Sequence, residues 1–290
     1  MGQTTNDRTP DYVLIGHISH DRTPQGPRLG GTVAYGAHTA RAFGLRVGVL
    51  TSADPRDPVL ADLPPEVQLV NVPAEHSTTF ENRYEGNTRT QWMYHRAHTL
   101  KPAMLPPAWR AARLVHLAPI ADEVEASFVD AFPEARLCVT PQGWMRLRAP
   151  DNRVLTRDWA QAEQVLPRCA LAVLSEEDIH HAPELERAYA QLAPLLVLTR
   201  AERGGTVYAA EQNFDFPAYP VARAVDPTGA GDVFTTALHI ALARLGELAP
   251  ALRVAAYVAA RSVTRVGLAG APTADEVARA WQMAADERPT

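Results

Sequence analysis

Asp226-Pro227-Thr228-Gly229-Ala230-Gly231-Asp232 runs directly into Val233-Phe234-Thr235-Thr236-Ala237-Leu238. The apolar positions Val233, Phe234, Ala237, Leu238, Ala241, Leu242 and Leu245 recur at helical spacing, so the spacing predicts a helix that begins at the glycines. Glycine there keeps side chains away and lets backbone approach a ligand closely. Unsatisfied N–H groups and the helix dipole at such a start favour an anion. Asp232 stands at the mouth of that position. An anion cradle beside a carboxylate is what phosphoryl transfer to a hydroxyl requires. An Asp at a helix start is also a common cap.

The remainder of the chain alternates apolar strand-like runs with helical patterns. Strands are expected at Tyr12 to Ile18, Leu45 to Leu50, Val67 to Val72, Leu114 to Leu117, Leu137 to Thr140, Leu171 to Leu174 and Leu195 to Thr199. Helices are expected over Thr32 to Gly44, Ala121 to Phe132 and Ala182 to Leu192. Such alternation predicts an α/β fold, a mostly parallel sheet flanked by helices, whose ligands bind at the carboxyl ends of the strands. Ser77 to Tyr84 and Arg89 to His95 break the pattern. They are rich in Thr, Phe, Tyr and Trp around Gly86-Asn87, a hairpin signal. Leu100 to Ala108, rich in proline, reads as a connector.

Composition narrows the function. A chain of 290 residues buries a large core. A net charge of −5 argues against nucleic acid held on a basic surface. Cys138 and Cys169 are too few for a disulfide framework or a structural zinc site. There is no run of membrane-span length, and the stretch from Met1 to Asp11 has no apolar signal core. The expectation is a cytoplasmic enzyme with neither membrane nor nucleic-acid partner. Lys101 is the single lysine and there is no Gly-Lys-Ser/Thr, so phosphates are not gripped by a P-loop. A dinucleotide dehydrogenase lacks its Gly-x-Gly-x-x-Gly after the first strand.

The run from Asp226 to Asp232 resembles the signature of the PfkB (ribokinase-like) family of sugar and nucleoside kinases. Val13-Leu14-Ile15-Gly16-His17-Ile18-Ser19-His20-Asp21 looks like the family's opening strand, which closes with an Asp. Leu29-Gly30-Gly31-Thr32-Val33-Ala34-Tyr35 looks like its double-glycine turn into the first helix. The resemblance spans about Tyr12 to Asp275 and implies a ribokinase-like fold with a small β lid. The kinase core would comprise residues 11–75 and 99–290. The lid would comprise 76–98, with part of 19–30, and is a candidate surface for a homodimer.

The same resemblance distributes roles. Asp232 becomes the catalytic base, with Gly229, Ala230 and Gly231 as the anion hole. Its helix-start position is expected to depress its pKa. Asp21 accepts from two substrate hydroxyls, beside Gly30, Gly31, Thr32 and Tyr35. Tyr35 replaces an Asn of the family, which points from ribose toward the myo-inositol kinase branch. Gln142 and Arg146 stand in a region similar to the family's Asp-x-Asn-x-Arg and line the phosphate side. Ser175 and Asp178 occupy the Asn-x-x-Glu place, where Asp178 helps hold hydrated Mg²⁺; a run of acids at a helix start also complements the dipole. Thr199, Arg200, Glu202 and Gly204 resemble the nucleotide loop, with Arg200 or Ala201 where a glycine is expected. Tyr257 flanks the adenine or packs in the core. Asp226 and Thr228, with Val263 to Gly267, match a monovalent-cation site of some members. The implied activity is phosphoryl transfer from ATP to a sugar or cyclitol hydroxyl, a myo-inositol-like polyol above all. The alternative is a non-catalytic sugar- or nucleoside-binding regulator on the same fold.

Overall fold

The computed structural model describes residues 8–85, 88–210 and 212–286. In chain order its elements are β1 (Tyr12–Ile15), β2 (Ser19–Thr23), β3 (Gly26–Gly30), α1 (Thr32–Ala42), β4 (Val47–Ala53), β5 (Gln68–Pro73), β6 (Thr78–Glu85), β7 (Thr88–His95), β8 (Leu114–Leu117) and β9 (Arg136–Val139). There follow β10 (Arg146–Arg148), β11 (Val154–Thr156), α2 (Ala162–Val165), β12 (Leu171–Ser175), α3 (Glu176–Ile179), α4 (Leu185–Leu192) and β13 (Leu195–Thr199). The chain closes with β14 (Gly205–Ala209), β15 (Gln212–Phe216), α5 (Ala230–Leu245), α6 (Leu248–Ser262) and α7 (Ala274–Asp286).

Nine strands form the main sheet in the order β15-β14-β13-β12-β9-β8-β1-β4-β5. All neighbours from β5 to β13 pair in parallel, and β14 and β15 extend the edge as an antiparallel hairpin. Strands of a parallel sheet are covered on both faces and read as apolar runs; β1 (Tyr-Val-Leu-Ile) is wholly buried. Alternate side chains feed two cores. Tyr12 and Leu14 join α1, α5, α6 and α7 on one face. Val13 and Ile15 join Trp144, Trp159 and the α2 and α4 side on the other. The α/β expectation holds.

A separate four-stranded sheet, ordered β3-β2-β6-β7, stands off the main one. The hairpin expected from the aromatic-rich segment is β6 and β7, joined by β2 and β3. Its Gly86-Asn87 turn lies outside the described residues. Asp21 therefore sits on β2 of the small sheet, six residues beyond the end of β1, and not at that strand's end.

The helix expected over Ala121 to Phe132 does not form; a short 3-10 turn, Ala126–Asp130, replaces it. The reason is tertiary. Asp122 has φ 59°. The Leu100 N–H donates to the Glu123 carbonyl, and Glu125 N–H to the Leu100 carbonyl. Fully buried Glu123 accepts from the N–H groups of His17, Ile120 and Ala121 at 2.8, 3.0 and 2.7 Å. Backbone groups satisfied this way are withdrawn from a helix ladder.

Candidate active site

Gly229 caps α5 at φ 79°, and its carbonyl accepts the first helical bond from Val233 at 2.9 Å. Gly246 ends the helix in the same left-handed region, the usual glycine stop. Asp226 pins the turn in place. Its Oδ1 accepts from the Thr228 N–H and its Oδ2 from the Gly267 N–H, both at 2.9 Å. Burial works against that charge, but the Thr228 and Gly267 bonds and the Arg28 charge hold the carboxyl below its usual range. One expected anion-hole donor is already spent: the Ala230 N–H donates to the Pro227 carbonyl at 3.2 Å. Among the described residues no protein acceptor meets the Gly229 or Gly231 N–H. A Cβ on Gly231 would meet nothing within 4 Å, so the turn opens on free space.

Asp232 is part-exposed in the first turn of α5. Its pKa is not depressed by the dipole as expected; it is pushed up to about 6. Loss of water around the carboxylate is the largest cause, and Asp178 adds to it, against the Thr32 hydroxyl and the Arg146 charge. Desolvation outweighs a partial helix charge because it acts on the full ionic charge. Thr32 is the first residue of α1, so the starts of α1 and α5 face one another. Gly36 permits that approach, since a Cβ there would lie 3.1 Å from Thr236 Oγ1 and 2.8 Å from Leu14.

Asp21 lies across the same site. A Cβ on Gly30 would come within 2.3 Å of Asp21 Oδ2 and 2.7 Å of Ser19 Oγ, so glycine there makes room for the carboxylate. Asp21 Oδ1 is buried without a hydrogen-bond partner. Burial pushes its pKa up, opposed by the Ser19 hydroxyl and the charges of Arg146 and His20. Arg146 opens β10 and donates to the Ile120 carbonyl at 3.0 Å. Gly143 allows this by packing its Cα on the Pro119–Ile120 backbone, where a Cβ would sit 2.3 Å away. The one Arg146 charge acts on Asp21, Asp178 and Asp232 together. A cleft of about 1450 Å³ opens between the small sheet and the 225–228 and 266–269 loops, lined by Asp21, Arg28, Tyr35, Asn82, Asp226 and Gly267 among others. Tyr35, which lines this cleft, packs on Gly229 at the start of α5.

The donor-side residues are placed differently. Asp178 completes a capping box with Ser175: the Ser175 N–H donates to its Oδ2 at 2.9 Å and Gln142 Nε2 to its Oδ1 at 3.3 Å. Burial raises its pKa against those bonds and Arg146. Among the described residues no three His, Cys, Asp or Glu groups could cage a metal. Ser175 and Thr199 are paired at the carboxyl ends of β12 and β13, and Thr199 Oγ1 donates to the Leu174 carbonyl at 3.2 Å. Arg200 does not project as a free cation: it donates to Glu186 Oε1 at 2.9 Å and to the Thr206 hydroxyl. Ala201 takes φ 49°, the left-handed conformation suited to the family's glycine. Glu202 is exposed and Gly204 holds φ 85°. Tyr257 is buried, with its ring edge-on to Tyr219 at 5.0 Å. Cys138 and Cys169 are buried free thiols. The sequence reading missed Arg28, Ser19 and Glu123. The partnering of Asp21 with Arg28 across β2 and β3 was hidden because those strands were not recognised as a pair.

The fold is that of the ribokinase-family kinases. A pyrophosphate-dependent kinase in the ribokinase family, solved with a pyrophosphate analog and myo-inositol, superposes with a TM-score of 0.74 at 20% identity, covering 92% of this chain and 99% of that one. The nucleoside kinase of Methanocaldococcus jannaschii gives 0.74 at 16% identity over 95% and 99%. Arabidopsis thaliana ribokinase, complexed with ribose and ATP, gives 0.69 at 15% over 94% and 98%. In sequence, residues 144–274 match the pfkB family carbohydrate kinases. Ribokinase of Bacillus subtilis (strain 168) is 38% identical over 98 residues, 33% of each chain. Fructokinase of Klebsiella pneumoniae is 30% identical over 200 residues, 62% of this chain and 64% of the relative. The chain thus spans between a third and just under two thirds of these curated relatives. The family match falls on the segment that carries the glycine motif, Asp226 to Asp232.

Proposed function

We propose that the chain is a carbohydrate kinase that transfers a phosphoryl group from ATP to a hydroxyl of a sugar or cyclitol, with a myo-inositol-like polyol as acceptor. The observation that carries this reading is the buried, unpartnered Oδ1 of Asp21 in a cleft also lined by Tyr35, which packs on Gly229 at the open helix start. A buried acceptor without a partner is costly, and a polyol hydroxyl answers it. Asp21 orients the acceptor, and the Arg146 charge opposes the rise that burial causes in its pKa. Asp232, held near a pKa of about 6, receives the hydroxyl proton at its carboxylate; a base of that pKa is mostly ionised at neutral pH and stronger than an ordinary Asp. The free Gly229 and Gly231 amides stabilise charge on the migrating group. The small sheet, acting as a lid, excludes water that would compete with the acceptor.

Mg²⁺ fits as a nucleotide-borne ion, because it keeps several waters and needs few protein ligands, and when bound it offsets phosphate charge. Asp178, with both oxygens engaged, would reach it through water. The monovalent-cation role of Asp226 and Thr228, a homodimer through the lid, and a cytoplasmic location complete the proposal. Among the described residues no helix is long and apolar enough to cross a membrane. Phosphoryl release assays over myo-inositol, ribose, fructose and nucleosides test it, with ATP and pyrophosphate each as donor. Pyrophosphate belongs in the panel because Arg200 is committed to Glu186 and Thr206. Polyol binding without turnover under any donor would favour the non-catalytic reading.

A further inference from the structure

Tyr35 is 3% exposed, lines the cleft, and packs on the glycine turn. A Cβ on Gly229 would lie 2.3 Å from its Cε1 and 2.4 Å from its Cζ. The hydroxyl is carried by that Cζ, so it sits over the start of α5. Among the described residues the hydroxyl has no hydrogen-bond partner, and it is not sealed from solvent. Its ring is otherwise fixed: α1 carries it, and its own carbonyl holds the Thr39 hydroxyl at 2.8 Å.

We infer that the Tyr35 hydroxyl is a catalytic donor to the migrating phosphoryl group, replacing the Ala230 amide that the turn consumes. This rests on the kinase reading and deepens it. A neutral donor suits the place. Asp21, Asp226 and Asp232 all act on Tyr35, and a lysine or arginine there would form an ion pair with Asp232 and weaken it as a base. Burial foremost, and then those carboxylates, push the phenol's pKa further up, with Arg28 opposing. The O–H therefore stays protonated, and a donor, throughout the working pH range. A prearranged donor of this kind needs no reorganisation as charge develops.

Tyr35→Phe tests it, since it keeps the ring against Gly229 and deletes only an unpartnered hydroxyl. The expected result is a kcat lower by ~10²-fold, the scale of one lost anion-hole donor, with acceptor KM and unfolding temperature unchanged. A wild-type kcat would overturn the inference. So would a raised acceptor KM with kcat intact, which assigns the hydroxyl to acceptor binding. A second arm needs no turnover: stabilisation against heat by inorganic phosphate, which reads binding directly. Wild-type protein is stabilised and Tyr35→Phe much less so. Equal stabilisation of the two overturns the inference. Absence of turnover in the wild type with phosphate discrimination retained rejects the kinase reading alone.

Discussion

The ring of Tyr35 lies against the α-carbon of Gly229, close enough that any side chain at 229 would overlap it. Through this contact the first helix buttresses the turn that starts α5, 194 residues later in a chain of 290. Gly229→Ala therefore meets two obstacles, the ring and a φ of 79°. It is expected to cost about 2–3 kcal/mol, since overpacking and left-handed strain each cost about 1 kcal/mol or more. Chemical denaturation checks this. In Gly229→Ala/Tyr35→Ala the clash is relieved, and the cycle should show a coupling of at least about 1 kcal/mol.

Asp232→Asn is expected to fold and to lose at least ~10²-fold in kcat, as loss of a general base does. It should also be more stable than wild type at pH 7. A raised folded-state pKa means the carboxylate form is disfavoured by folding above that pKa. Two pKa units correspond to about 3 kcal/mol, and for a part-exposed group solvent screening leaves about 1 kcal/mol. Wild-type turnover in this variant would remove Asp232 from the mechanism.

The pH profile follows from the same carboxyl. Because the base must be ionised, kcat/KM should fall as pH drops through about 6 and be level above it. An ordinary Asp would place that limb near 4. The limb is read from initial rates between pH 4.5 and 8 at constant ionic strength.

Arg146→Gln removes a positive charge that acts on three carboxyls. Their pKa values should rise further, so the acidic limb of kcat/KM moves to higher pH, with acceptor KM increased as Asp21 loses charge. An unshifted limb would show that the Arg146 charge does not set the acidity of Asp232.

Gly30→Ala drives a methyl group into Asp21 Oδ2. Displacing that carboxylate should raise acceptor KM about tenfold or more, the scale of one charged hydrogen bond, with donor KM unchanged. Steady-state kinetics in both substrates distinguish this from general damage.

Local pattern made much of this legible. Seven parallel strands announced themselves as apolar runs, and α5 as a periodic segment behind two glycines. Asp21, Tyr35, Arg146 and Asp232 were marked by motif and do converge. What failed was whatever depended on neighbours distant in sequence. Ala121 to Phe132 has helical periodicity, but buried Glu123 and Leu100 take up its backbone groups. Asp178 was read either as a metal acid or as a helix-start acid, and the capping box it forms with Ser175 came from its packing.

Sequence alone determined the seven parallel strands, the helix α5 and its glycine start, because side-chain period and glycine backbone freedom are properties of a few adjacent residues. Tertiary structure decided the acidity of Asp232, the loss of the Ala230 amide to its own turn, and the shared hold of Arg146 on three carboxylates. Those are set by exclusion of water and by charges brought together across the fold, and neither quantity exists until the chain has packed.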